Sequence, residues 1–257
     1  MNTTVKLGDR EITRIGLGTN RLTNTRANVE LIRAAVAAGV QMIDTAHLYT
    51  GGESEKTIGD AITVAANGPV VATKGGFGGA GRGKPEVLRA EIAQSLRSLR
   101  TAAIELYYLH RVDPETPLEE SLSEIKAHHD SGEIRLVGIS EVTVEQIERA
   151  RKVVPITAVQ NRYNIAERGN DSVIDYCARE GILFVPFFPL RAGVTPVIRE
   201  VAARHNATPQ QVMLAWLLHR SPVMLPIPGT LSLEHLKQNL AALGLEISDA
   251  ALNSLSA

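Results

Sequence analysis

The chain has 257 residues, 44% hydrophobic and 21% charged, which suits a globular protein able to bury a large core without crosslinks. Its formal net charge of -1, from 27 basic and 28 acidic side chains, excludes the basic excess expected of a nucleic-acid binder. A single cysteine, Cys177, leaves no internal disulfide, no apolar run nears the ~20 residues of a membrane span, and the polar start lacks a signal-peptide core. The expectation is one cytoplasmic domain over residues 1–257, monomeric, with neither nucleic acid nor membrane as a partner.

Taken in chain order, residues 5–12 read as a small hairpin turning at Gly8-Asp9, placed to plug the bottom of a barrel. Eight short, nearly continuous apolar runs follow, at 15–18, 40–44, 70–74, 104–110, 134–139, 156–160, 182–186 and 224–227. Such runs suit parallel strands covered on both faces. Helical segments separate them. Val87, Leu88, Ile92, Leu96 and Leu99 recur at three- and four-residue steps, as do Leu118, Leu122 and Ile125. Thr143 with Gln146, and Thr208 with Pro209 and Gln211, are helix-start signals, while Gly39 and Gly181 are stops.

Eight strands alternating with helices in about 250 residues predict an α/β fold, a (β/α)8 TIM barrel with an N-terminal hairpin cap and C-terminal accessory helices. An open doubly wound sheet is the rival. It would favour a third glycine after the first strand, and Gly16-Leu17-Gly18-Thr19-Asn20-Arg21 lacks it.

Chemistry on a barrel gathers at the carboxyl ends of its strands. Asp44, Lys74 and His110 end the second, third and fourth strands, and Tyr49 lies in the loop above Asp44. Ser140 follows the fifth strand, and Gln160 and Asn161 end the sixth. Each alone has an ordinary structural explanation, such as an ion pair or a hydrogen-bonded core histidine. Together they suit acid catalysis at a carbonyl. Tyrosine is a weak acid, with an ordinary pKa of about 10, and a neighbouring ammonium favours its ionised form. Lys74 can supply the ammonium, Asp44 can hold it, His110 can orient a carbonyl oxygen, and Tyr49 can protonate it.

The motifs around these residues resemble those of the aldo-keto reductases. Ile43-Asp44-Thr45-Ala46-His47-Leu48-Tyr49, with Gly51-Gly52-Glu53-Ser54-Glu55 and Ile58-Gly59, is similar to that family's Asp and Tyr signature. Thr73-Lys74-Gly75-Gly76-Phe77 and Leu106-Tyr107-Tyr108-Leu109-His110 resemble its Lys and His segments. Val137-Gly138-Ile139-Ser140 and the run from Val159 to Asn164 are similar to the strand ends that hold a nicotinamide carboxamide.

The resemblance implies NADPH as cofactor, with NADH as the alternative, and a small carbonyl substrate. It implies a catalytic tetrad of Asp44, Tyr49, Lys74 and His110, with Ser140, Gln160 and Asn161 on the carboxamide. Gly18, Thr19, Asn20 and Asp44 would face the cofactor from the first two strand ends. Phe187 stands where the family usually stacks a Tyr on the nicotinamide, and Pro189 and Leu190 would line the pyrophosphate. Ile227, Pro228, Gly229 and Thr230, with His235, Gln238 and Asn239, would hold the adenosine end. Leu22, Leu48 and Phe77 are assigned to the substrate pocket.

The sequence also departs from the pattern. Glu141 stands where many members carry Asn, and Asn20 where some place a Trp. His235 replaces an Arg that grips the 2′-phosphate, which predicts a weaker NADPH preference because histidine lacks a fixed charge and a fork. The loops after strands two, three and seven look trimmed, which predicts an open pocket.

Three other readings compete. Residues 78–84, Gly-Gly-Ala-Gly-Arg-Gly-Lys, partly match a phosphate loop, but Pro85 replaces the magnesium-binding Ser or Thr. The seven histidines show no paired zinc spacing, so no metal is expected. The same barrel could serve as a cofactor-binding regulatory module with little turnover. Trp216, Tyr176 and Cys177 read as core residues.

Overall fold

Antiparallel strands β1 (Thr4–Leu7) and β2 (Arg10–Thr13) open the fold of the computed structural model, which describes residues 2–65 and 67–255. Residues 1, 66, 256 and 257 of the expected domain lie outside the described residues. Gly8 makes the hairpin turn at φ 58, a conformation that costs glycine little. Seven parallel strands follow, each paired to the next: β3 (Leu17–Gly18), β4 (Met42–Asp44), β5 (Val70–Gly75), β6 (Ile104–Leu109), β7 (Ile134–Ser140), β8 (Ile156–Gln160) and β9 (Leu183–Phe184).

The expected eighth strand is corrected by the structure. Residues 224–227 take the eighth position, but they and the adjoining residues to 229 meet their neighbours through isolated bridges instead of a ladder, Phe184 to Met224 on one side and Gly18 to Gly229 on the other. Proline chemistry explains this. Gly16 N donates to Pro226 O and Gly18 N to Pro228 O, but neither proline has an N–H to return. The sheet still curls shut there, as a barrel, with a tight seam. A Cβ on Gly18 would lie 2.7 Å from the Ile227 carbonyl oxygen.

Helices cover the outside: α1 (Arg26–Ala37), α2 (Glu53–Ala61), α3 (Pro85–Leu99), α4 (Leu118–Asp130), α5 (Val144–Arg151), α6 (Asp171–Glu180), α7 (Pro196–Arg204), α8 (Pro209–Arg220), α9 (Leu233–Ala241) and α10 (Asp249–Ser254). Both expected capping boxes form, Thr143 with Gln146 and Thr208 with Gln211. Gly39 (φ 96) and Gly181 (φ 67) end α1 and α6 in left-handed backbone, as their positions in the sequence predict.

Two apolar layers result. The outer one, including Ile43, Val71, Leu88, Ile92, Val137 and Ile174, lies between strands and helices. The inner one joins Met42, Ala72, Leu106, Tyr108 and Leu225 with Val5, Leu7 and Ile12 of the hairpin, which therefore plugs the barrel from below. Arg14, 2% exposed, anchors the plug. Its guanidinium donates to the carbonyl oxygens of Asn2, Leu218, Ser221 and Met224. No helix among the described residues is long and apolar enough to cross a membrane.

Candidate active site

Parallel strands all present their carboxyl ends at one mouth of a barrel, so strand-end residues distant in sequence become neighbours. Lys74, on β5, is fully buried, and its ammonium donates to Asp44 Oδ1 of β4 at 2.6 Å and to the Thr45 carbonyl at 2.6 Å. The same ammonium reaches the Tyr49 hydroxyl at 3.3 Å. Burial alone would discharge Lys74, but the field and hydrogen bonds of Asp44 and Tyr49 outweigh it, and its pKa is raised. Asp44 is held from its other side by the Gln160 side-chain N–H at 2.8 Å.

His110 follows β6, with its ring 6.0 Å from that of Tyr49 and nearly perpendicular to it. Burial, then the positive charges of Lys74 and Arg111, drive its pKa down to about 2, so the imidazole is neutral at any ordinary pH. Its Nδ1 is sealed without a partner, which leaves Nε2 as the nitrogen open to the cleft.

Behind these groups, Ser54 Oγ lies 2.9 Å from Thr19 Oγ1 and 2.7 Å from Thr45 Oγ1. It thereby ties the ends of β3 and β4 to the start of α2.

The cleft above them has a volume of about 360 Å³, enough for a small molecule beside a planar ring. It brings together the expected Gly18, Thr19, Asn20, Asp44, Tyr49, His110, Gln160, Phe187, Pro189, Ile227 and Gly229, with Leu48 and Phe77 from the expected pocket. Leu22 is corrected: it is 1% exposed and packs in the outer core instead of edging the cleft. Asn161 is corrected too. Its side chain accepts from Val142 N and donates to Val142 O and Asn170 Oδ1, so it braces a loop and its N–H groups are spent.

Ser140 Oγ accepts from Arg111 Nη1 at 3.0 Å and keeps its own O–H to give. Leu190 packs against the core, and Pro228 is buried in the seam. Thr230 Oγ1 accepts from Ser232 N, and Ser232 caps α9. On that helix His235 is exposed, Gln238 donates to Glu234, and Asn239 is buried.

The glycine loop at 78–84 already holds an anion of its own. Gly81 N and Gly83 N donate to the Asp113 carboxylate at 3.0 and 2.7 Å, and Thr116 Oγ1 adds a third bond. Burial disfavours that charge, but these bonds and one from Glu115 N outweigh it and hold the pKa down to about 2. The phosphate-loop reading is therefore set aside. Cys177 is sealed in the core, and burial pushes its thiol up to about 12, far from a nucleophile.

Sequence reasoning missed Arg111, Phe188 and Arg191. Arg111 lines the cleft between Phe77 and Phe187, with its guanidinium 5.4 and 5.6 Å from their ring centroids. Phe188, at φ 54, turns outward and carries Arg162 and Arg191 against its ring at 5.3 and 4.9 Å. A charged residue directly after a strand-end histidine was the available signal for Arg111. Nothing local foretold the turned backbone at Phe188.

A family model described as Aldo/keto reductase family matches residues 14–196 and 194–257. An uncharacterized oxidoreductase, C215.11c, of Schizosaccharomyces pombe is 36% identical over 98% of this chain and 88% of its own. Pyridoxine 4-dehydrogenase of Escherichia coli is 35% identical over 98% of this chain and 96% of its own. Among solved structures, the thermostable aldo-keto reductase Tm1743 superposes with a TM-score of 0.90 at 31% identity, covering 98% of both chains. An enzyme of Klebsiella pneumoniae, solved with NADPH, superposes at 0.86 with 28% identity, covering 99% of this chain and 94% of its own.

Proposed function

The chain belongs to the aldo/keto reductase family, and we propose that its cleft reduces an aldehyde or ketone to the alcohol with NADPH, Tyr49 acting as the acid. The observation that carries this is the buried chain from Asp44 to Lys74 to the Tyr49 hydroxyl, at 2.6 and 3.3 Å, opening beside a neutral His110.

The residues present fit a nicotinamide. Its carboxamide needs one donor and one acceptor. Ser140 keeps a free O–H, and Gln160 commits its N–H to Asp44, leaving its carbonyl oxygen to accept. Phe187 offers an aromatic face in the cleft, with Pro189 beside it. Thr230, the start of α9 and His235 would meet the adenosine end, and Arg191 adds a cation near Pro189 and Leu190. The absence of a guanidinium at His235 argues for a moderate preference for NADPH over NADH. When bound, the reduced dinucleotide supplies a hydride to the carbonyl carbon.

The chain's own residues manage the oxygen. The Nε2–H of His110 donates to the carbonyl oxygen and fixes its direction. Tyr49 passes its proton to that oxygen, and the negative charge left on the phenol meets the Lys74 ammonium. Asp44 holds Lys74 in place and keeps it charged. Leu48, Phe77 and Ile227 give the reacting atoms apolar neighbours.

The experiment is a panel of aldehydes and ketones, including 4-nitrobenzaldehyde, run with NADPH and with NADH while cofactor absorbance is followed. Dinucleotide oxidation that depends on the carbonyl, faster with NADPH, is expected. Tight dinucleotide binding without turnover across the panel would contradict the proposal and favour a regulatory barrel.

A further inference from the structure

Arg111 stands in the cleft and neither gives nor takes the transferred proton, its charge reaching His110 and Tyr49 only through space. Its Nη1 is spent on the His110 carbonyl at 2.6 Å and on Ser140 Oγ at 3.0 Å. The rings of Phe77 and Phe187 both lie close to the guanidinium, at 5.4 and 5.6 Å. Those contacts fix the group's position. They leave Nε and Nη2 without a hydrogen-bond partner among the described residues, and neither atom is sealed from solvent. That free edge carries two parallel N–H groups, the arrangement that receives both oxygens of one carboxylate.

The electrostatics of the cleft agree. Asp44 and Lys74 neutralise each other. Glu141 acts on Arg111 only through its field, because Glu141 Oε1 accepts from Arg162 N at 2.7 Å. Arg111 is thus a cation lining the cleft with no carboxylate bonded to it, beside the apolar Phe77, Leu48 and Ile227. Phe77 also packs on His110, its ring 4.7 Å away, so the cation and the carbonyl-orienting imidazole share one wall.

We propose that Arg111 is the specificity-determining residue of the cleft, and that its substrates are carbonyl compounds carrying a carboxylate. This rests on the carbonyl-reduction reading above. A planar carboxylate on the Nε–Nη2 edge would pin one end of the substrate while Tyr49 and His110 hold the carbonyl oxygen at the other. Neutral carbonyl compounds of the same shape would lose that anchor and bind more weakly.

The test uses two matched pairs, 4-carboxybenzaldehyde against methyl 4-formylbenzoate and succinic semialdehyde against butanal, with NADPH saturating. For the wild type, kcat/KM should favour the acid by about tenfold or more in at least one pair, mainly through KM, as a charge-assisted hydrogen-bonded pair allows. In Arg111→Met the acid-to-neutral ratio should fall to about one. In Arg111→Lys, which keeps the charge and loses the fork, part of the preference should remain. Benzoate should compete with the neutral ester in the wild type and lose that effect in Arg111→Met. Equal handling of acid and neutral partner by the wild type, in both pairs, would overturn the inference. So would an unchanged preference in Arg111→Met. If Arg111→Met does not fold, the wild-type ratios and Arg111→Lys decide. No turnover of any of the four, with NADPH bound, would count against carbonyl reduction itself and remove the inference with it.

Discussion

Protonation at His110 is set by the fold before any substrate arrives. The ring is largely buried and two cations lie nearby, so the folded protein holds the neutral imidazole down to about pH 2. An unfolded chain takes up that proton near pH 6.5. The sign follows directly. Above about pH 6.5 the site adds no pH dependence, and below it the unfolded state binds more protons, so stability falls as the solution is acidified. Between pH 7 and 5 this amounts to about 2 kcal/mol. His110→Gln should therefore lose less stability than the wild type over that range, read from urea unfolding at the two pH values. Equal losses would mean that the ring is charged or solvated in the native state. The residue also shows what a sequence conceals. Its place at a strand end was legible, whereas its protonation state depends on Lys74 and Arg111, and the role of Arg111 became visible only in three dimensions.

Elements explain most of what was misread. Residues 224–227 have the apolar composition of a strand, yet Pro226 and Pro228 remove alternate donors, so the segment closes the barrel without a regular ladder. Composition sees the apolar run and cannot see which neighbour needs its N–H groups. Leu22 lies in a loop beside the cleft, but its side chain faces the core. Asn161 is at the right strand end, yet a loop at Val142 and Asn170 claims its side chain.

Helix contacts were equally hidden. α2 crosses α3 so closely that a Cβ on Gly59 would lie 2.4 Å from the Ser98 carbonyl oxygen. Gly59→Ala must separate the two backbones, which should cost roughly 1–3 kcal/mol. A thermal or urea unfolding curve checks this, and an unchanged midpoint would show that the crossing has slack.

Across the whole molecule, the barrel turns four positions spread along the chain into one site. The hairpin plug, the strand order and several helix ends, those at Gly39, Thr143, Gly181 and Thr208, were readable because each follows from local patterns: alternation, capping and turn residues. That Asp44, Tyr49, Lys74 and His110 would meet was readable because a parallel barrel places every strand end at the same mouth. The departures, Arg111 in the cleft and Asp113 filling the glycine loop, come from pairs whose geometry no spacing encodes. The site's central claim is that the Tyr49 hydroxyl, 3.3 Å from the Lys74 ammonium, delivers the proton. Tyr49→Phe keeps the ring and removes only that hydroxyl. The most direct measurement is kcat for carbonyl reduction by this variant, with NADPH binding checked by fluorescence. A fall of about 10²–10⁴-fold with cofactor still bound is predicted. Near-native turnover by a folded Tyr49→Phe protein would contradict the account.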